Sequence, residues 1–243
     1  MNSTLSIDLS KSWSASDVKI NTIRKAAPTT DGQAIWTDRT TKAFYIWGGH
    51  APFGQGTKAL SKKTEWRFAV DGNGGGTWSE ETPSNPVLLE SLTLSEDGAF
   101  TTAGNKGLWI GGTASPWTEF GFPGNQAIPG VVSFNMKTKT WHNTSADGLS
   151  TFGTLRWGQA KFVPNFGPNG LVMVLGGQTY TLAKGDQSLA GMQDLDNIPF
   201  FDPVSNAWYS QRTTGTTPEP RSSFCSVGIK GQNGTFEMYA PNP

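Results

Sequence analysis

Three short apolar runs, each stopped by two glycines, set the pattern of the chain. Phe44-Tyr45-Ile46-Trp47 precedes Gly48-Gly49, Leu108-Trp109-Ile110 precedes Gly111-Gly112, and Leu171-Val172-Met173-Val174-Leu175 precedes Gly176-Gly177. Each run is too short for a helix and is rich in aromatic or branched residues, which predicts a buried strand. The glycine pairs recur at nearly even spacing, and Trp78, Trp141 and Trp208 follow them at nearly constant distance. Self-similarity of this kind means one supersecondary unit repeated along the chain.

Around each run the alternation of polar and apolar positions resolves into four strands, a to d. Ala34-Ile35-Trp36 leads through Thr37–Thr41 into the first run, and Phe162-Val163 leads through Pro164–Gly170 into the third, as a–b hairpins. A second hairpin follows each run. Val131–Phe134 turns at Asn135 and returns through Trp141, Pro199–Phe201 turns at Asp202-Pro203 and returns through Trp208, and Glu65–Val70 turns at Asp71–Gly76 before Trp78. The expected fold class is therefore all-β, built of four-stranded antiparallel units at 33–78, 92–141 and 157–208. Residues 1–13 read as an outer half-unit whose second strand carries Trp13, and 221–240 as an inner half-unit. The register places the next glycine pair where the chain reads Ala240-Pro241-Asn242-Pro243, so the pattern is expected to break there. That favours an arc cut from a larger ring over a closed ring in which the first hairpin completes the last.

At these residues the sequence resembles kelch repeats, the blades of a β-propeller. The Gly-Gly after strand b, the Asp or Asn turn between c and d, and the Trp of strand d carry the resemblance, which covers essentially the whole chain. Ser3–Ser10 and Phe162–Gly170 look like the large group of fungal kelch-repeat proteins. The resemblance implies a kelch-type propeller or partial propeller arc: half a blade, three full blades and half a blade. A fold of this type hosts many functions, so the resemblance alone assigns none.

Loop lengths carry the functional expectation. The a–b and c–d turns are short, whereas the b–c segments 50–64, 113–130 and 178–197 and the d–a connectors 79–91, 142–156 and 209–223 are long. In a four-stranded meander these two sets emerge on one side, and insertions confined to one face mark the binding face of a repeat protein. Trp117, Phe120 and Phe122 lie in such a loop and are candidate contact residues. His50 follows a glycine pair at the same rim. Arg156 and Arg221 each open an inner strand and point toward the mouth of a central channel, where contact to a ligand competes with holding the adjacent connector. Trp36, Trp47, Trp66, Trp78, Trp109, Trp141 and Trp208 keep a fixed register within the units, which predicts packing between sheets.

Composition narrows the function classes. Nineteen basic residues balance nineteen acidic ones, which gives no electrostatic case for nucleic acid or an anionic membrane. No apolar run approaches the roughly 20 residues of a membrane span, and the N-terminus has no signal-peptide pattern. A single cysteine, Cys225, excludes an internal disulfide and a multi-thiolate metal site; it is expected to pack in an inner strand. Gly72–Gly76 lacks the Lys-Ser/Thr and following helix of a phosphate cradle and reads as a c–d turn.

No carboxylate pair, triad or metal cluster stands out, so the expectation is a non-catalytic interaction module that binds a protein or glycan and needs no cofactor. The alternatives are a fragment without function of its own and a copper-radical oxidase. The latter rests on galactose oxidase, which has a related propeller and holds copper through Tyr and His with a Tyr–Cys crosslink. His50, His142, Cys225, Tyr45, Tyr180, Tyr209 and Tyr239 supply the residue types, without ligand spacing. Asn2, Asn143 and Asn233 each open a glycosylation sequon, which fits passage of the full-length parent through the secretory pathway to the cell surface or beyond.

Overall fold

The computed structural model describes residues 3–54, 60, 62–182 and 189–240. The chain opens with β1 (Ser3–Ile7) antiparallel to β2 (Ile20–Arg24), with Ser3 opposite Arg24 and Ile7 opposite Ile20. Three four-stranded antiparallel sheets follow. The first is β3 (Ala34–Asp38), β4 (Ala43–Trp47), β5 (Glu65–Val70) and β6 (Gly76–Glu81), in that order. A helical turn, α1 (Pro86–Ser91), leads to the second, in which β7 (Ala99–Ala103), β8 (Lys106–Ile110), β11 (Val131–Asn135) and β12 (Thr140–Thr144) are neighbours. Its b–c loop holds the two-residue strands β9 (Thr113–Ala114) and β10 (Gln126–Ala127). The third joins β13 (Gln159–Val163), β14 (Leu171–Leu175), β17 (Asn197–Phe201) and β18 (Trp208–Arg212), and its b–c loop pairs β15 (Gln178–Tyr180) with β16 (Leu189–Met192). A last hairpin, β19 (Val227–Lys230) with β20 (Phe236–Tyr239), packs Phe236 and Met238 against the cluster around Val163 and Met173.

The turns explain the register. Asp38, Asp71, Asn135 and Asp202 each accept backbone N–H groups from two to four residues on, an Asx turn that fixes the hairpin. The glycine pairs explain the spacing between blades. All six glycines have positive φ, and the second of each pair donates its N–H to the next unit: Gly49 to Ser95 (2.9 Å), Gly112 to Leu155 (2.7 Å) and Gly177 to Arg221 (2.8 Å). A Cβ on the first glycine would run into that same carbonyl, so no side chain fits.

The tryptophans pack between sheets, as their register predicts. Trp36 donates its indole N–H to the Leu108 carbonyl at 3.1 Å and lies 5.9 Å from Trp141, which is 4.4 Å from Trp47. Gly107 makes room for the Trp36 ring, since a Cβ there would enter it. Leu108, Ile110 and Val131 of the second blade and Val172, Val174 and Phe201 of the third share a second core. Two strand-d tryptophans donate to the segment before their blade, Trp208 to the Ser145 carbonyl (3.3 Å) and Trp78 to the Thr4 hydroxyl (2.8 Å), whereas Trp141 only packs against Trp36 and Trp47 of the preceding blade.

Some expectations are corrected. The first hairpin does not return through Trp13, because β1 pairs with Ile20–Arg24; Trp13 is half exposed in the intervening loop. The first connector is not all loop, since α1 buries Leu89. Cys225 is exposed rather than packed, and Asn143 lies in β12 rather than at a loop start. Hairpins β1–β2 and β19–β20 are separate two-stranded sheets, so the less favoured alternative, in which the first completes the last, is not formed.

Candidate functional site

The segment that enters each inner strand is repeated in three dimensions. Asp31, Glu96 and Arg156 form antiparallel bridges with His50, Thr113 and Gln178, the residues just after the glycine pairs. The next position is left-handed every time, at Gly32 (φ 68), Asp97 (φ 60) and Trp157 (φ 57), and again at Ser223 (φ 56). These four residues are hydrogen-bonded from blade to blade. Asp97 N–H donates to Gly32 (3.2 Å), Trp157 N–H to Asp97 (2.8 Å) and Ser223 N–H to Trp157 (3.0 Å). A bulky residue such as Trp157 rarely adopts this conformation, and strain of this kind is held only where the surroundings over-determine it.

The side chains of this ring set the chemistry of the rim. Arg156 gives Nε (3.2 Å) and Nη2 (2.8 Å) to the same Asp97 oxygen, and its guanidinium lies 3.9 Å from the Trp157 ring. It ties the second blade to the third. His50 places Nδ1 2.5 Å from Glu96 Oε2. Burial raises Glu96 above the usual carboxylate range; the His50 contact opposes this, neighbouring Asp97 adds to it, and Arg156 opposes it weakly.

Beside this pair an open pocket of about 270 Å³ is lined by His50, Ala51, Phe53, Glu96 and Trp117. Phe53 is fully exposed, and Trp117 and Phe120 are 46% and 55% exposed. The loops that carry these aromatics are braced. Ala51 N–H donates to the Trp117 carbonyl at 2.8 Å, and Lys63 bonds both Glu119 (3.1 Å) and the Glu90 carbonyl (2.8 Å). Gly130 N–H reaches the Gly153 carbonyl, and Thr154 exchanges hydrogen bonds with Tyr180. Residues of 50–64, 113–130, 142–156 and 178–197 thus meet on one side, as strand parity requires, and the first connector joins them at the end of α1.

Of the candidates read from the sequence, His50 and Trp117 come together in the pocket, and Phe120 lies on the same braced loop. Phe122 is partly buried, its N–H on the Glu119 carbonyl. Arg156 is a brace rather than an open ligand contact. Arg221 donates to the Glu219 carbonyl, and its own carbonyl holds Gly177. His142 is exposed in β12, away from the glycine-pair rim where His50 sits. Among the described residues no group of three or more His, Cys, Asp or Glu is placed to hold a metal ion. Asn143 and Asn233 are exposed, and Asn2 lies outside the described residues. Glu96, Asp97 and Phe53 were missed. The signal for the first two was their offset before β7, which matches that of Arg156-Trp157 before β13.

No family model matches the chain. A kelch repeat-containing protein of Arthroderma benhamiae is 23% identical over 269 residues, covering 95% of this chain and 38% of the relative. The chain thus spans well under half the length of that curated relative. The solved structure of YjhT superposes with a TM-score of 0.47 at 13% identity, covering 76% of this chain and 52% of that one. No helix among the described residues is long and apolar enough to cross a membrane.

Proposed function

We propose, taking a chain of kelch-type repeats as the premise, that this protein is a non-catalytic interaction module whose long-loop face binds a protein or glycan. The observation that carries the reading is the set of exposed aromatics, Phe53, Trp117 and Phe120, on loops that are hydrogen-bonded to one another. Large apolar side chains held out to solvent on a rigid support lose little conformational freedom on binding, and aromatics of this kind dominate interface energetics. Four of the short turns on the opposite side are closed on their own Asp or Asn side chains, at Asp38, Asp71, Asn135 and Asp202.

The three sequons support residence of the parent chain in the secretory pathway, where protein and glycan ligands are both available. The reading is tested by screening the chain against a glycan array and a displayed protein library. The double variant Trp117→Ala/Phe120→Ala is expected to weaken the selected interaction at least tenfold while its circular dichroism spectrum is unchanged. Binding that survives this variant and is lost instead by changes in the short turns would overturn the assignment of the face.

A further inference from the structure

We infer that the pocket between Phe53 and Trp117 receives the alkylammonium head of a lysine side chain presented by a protein partner. This rests on the reading of the long-loop face as a binding surface and names the chemistry that it recognises. The argument is one of charge. Glu96 is 14% exposed at its side chain, and of the described residues only His50 contacts its carboxylate, through Oε2. The nearby cations are committed elsewhere: Arg156 spends two N–H groups on Asp97 and stacks on Trp157, and Lys63 bridges Glu119 and the Glu90 carbonyl. The His50 contact is made through Oε2, which leaves Oε1 of Glu96 for an incoming cation.

The rest of the lining is Ala51, Phe53 and Trp117. Two exposed aromatic side chains beside a carboxylate offer an ammonium ring contact and an ion pair together. A neutral sugar would need several free donors and acceptors, whereas Glu96 and His50 already engage one another. The four-carbon stem of lysine would pack along the aromatics while its head reached Glu96.

The test uses the full chain and two probes, Nα-acetyl-lysine amide and its ε-acetylated counterpart, which has the same stem without the charge. Binding is read from the Trp117 indole resonance, assigned by its loss in Trp117→Phe. Saturable binding of the charged probe is expected, at least tenfold tighter than that of the acetylated one. Glu96→Gln, which keeps an acceptor for His50, should remove that preference; should this variant not fold, Phe53→Ala, at a fully exposed position, should weaken the charged probe at least threefold. A tetramethylammonium arm separates an ammonium that donates hydrogen bonds from one that cannot: binding tighter than that of the lysine probe would overturn the lysine assignment. Equal binding of the charged and acetylated probes, or a Glu96→Gln variant with an intact preference, would also overturn the inference. Loss of the lysine signal with partner capture still dependent on Trp117 and Phe120 sinks only this inference. Intact lysine binding with capture insensitive to those residues sinks the module reading instead.

Discussion

Glu65 lies directly across β5 and β6 from Glu81, and only Glu81 has a cation: Lys139 Nζ sits 2.8 Å from its Oε2. Lys139 also donates to the Tyr45 hydroxyl at 2.6 Å, and these bonds hold its ammonium above the usual lysine range against the opposing effect of burial. Glu65 is fully buried, and neither of its oxygens has a hydrogen-bond partner. Burial first, then repulsion from Glu81, push its carboxyl well above the ordinary range, with Lys139 opposing. The folded protein therefore keeps this proton to higher pH than the unfolded chain does.

The stability that Glu65 contributes is full below the ordinary glutamate range and is lost as pH rises from there through its folded value. Glu65→Gln is expected to flatten this slope and to stabilise the protein at pH 7. A gain of about 1 kcal/mol would raise Tm by roughly 2–4 °C for a chain of this size. Thermal melts of both proteins between pH 4 and 8 check it; parallel curves would mean that Glu65 is ionised in the fold.

Gly111→Ala should be far more damaging than Gly104→Ala. Both residues are left-handed, at φ 70 and φ 59, and alanine there costs about 1–2 kcal/mol. Only at Gly111 would the new Cβ also strike the Leu155 backbone, which the neighbouring Gly112 N–H holds at 2.7 Å; nothing lies within 4 Å at Gly104. Urea unfolding should give a cost beyond about 3 kcal/mol for the first and about 1 kcal/mol for the second. Equal costs would locate the whole penalty in φ rather than in blade packing.

Asp97→Asn tests the brace at Arg156. Asparagine tolerates the left-handed conformation, so the backbone ring is kept while the charge is removed. Loss of a charge-assisted pair that is 16% and 20% exposed should cost about 1–3 kcal/mol. Arg156→Ala in that background should add little, since the two share one interaction; additive losses would show that Arg156 acts through other contacts.

Asn143 and Asn233 are both exposed, the first on the outer edge strand β12 and the second in the turn of the last hairpin. Secretion from a eukaryotic host is expected to modify both, with Asn233 the more fully occupied because a turn fits the transferase better than a strand does. Peptide mass spectrometry reads the occupancy; bare asparagine at both would argue against the secretory route.

Much of the architecture was legible in the sequence because its causes are local and repeated. A β-strand stopped by Gly-Gly, an Asp or Asn closing a hairpin on its own backbone, and a tryptophan at fixed offset each act within a few residues. Three copies in register made their order, and hence the side on which the long loops emerge, unambiguous. The partner of β1 was not legible: Trp13 fits the repeat offset, but strand pairing is decided by which edge is available, and Ile20–Arg24 took it. Cys225 was misjudged for a related reason, since its segment joins the strand only at Val227.

The site depended on the tertiary structure almost entirely. His50, Glu96 and Trp117 are far apart in sequence and meet because the segment after the first glycine pair is hydrogen-bonded to Ser95 and Trp117 of the next blade. For Arg156 the sequence left ligand contact and a bracing role in competition, and the fold engages it because Asp97 of the preceding blade lies within reach of its guanidinium. Glu65 reads as an ordinary polar residue at the start of a strand, and only the packing of one blade on the next removes it from water. Periodicity determines where side chains stand within a blade; the close approach of blades determines which charges meet, and that rests on long-range packing that no local pattern encodes.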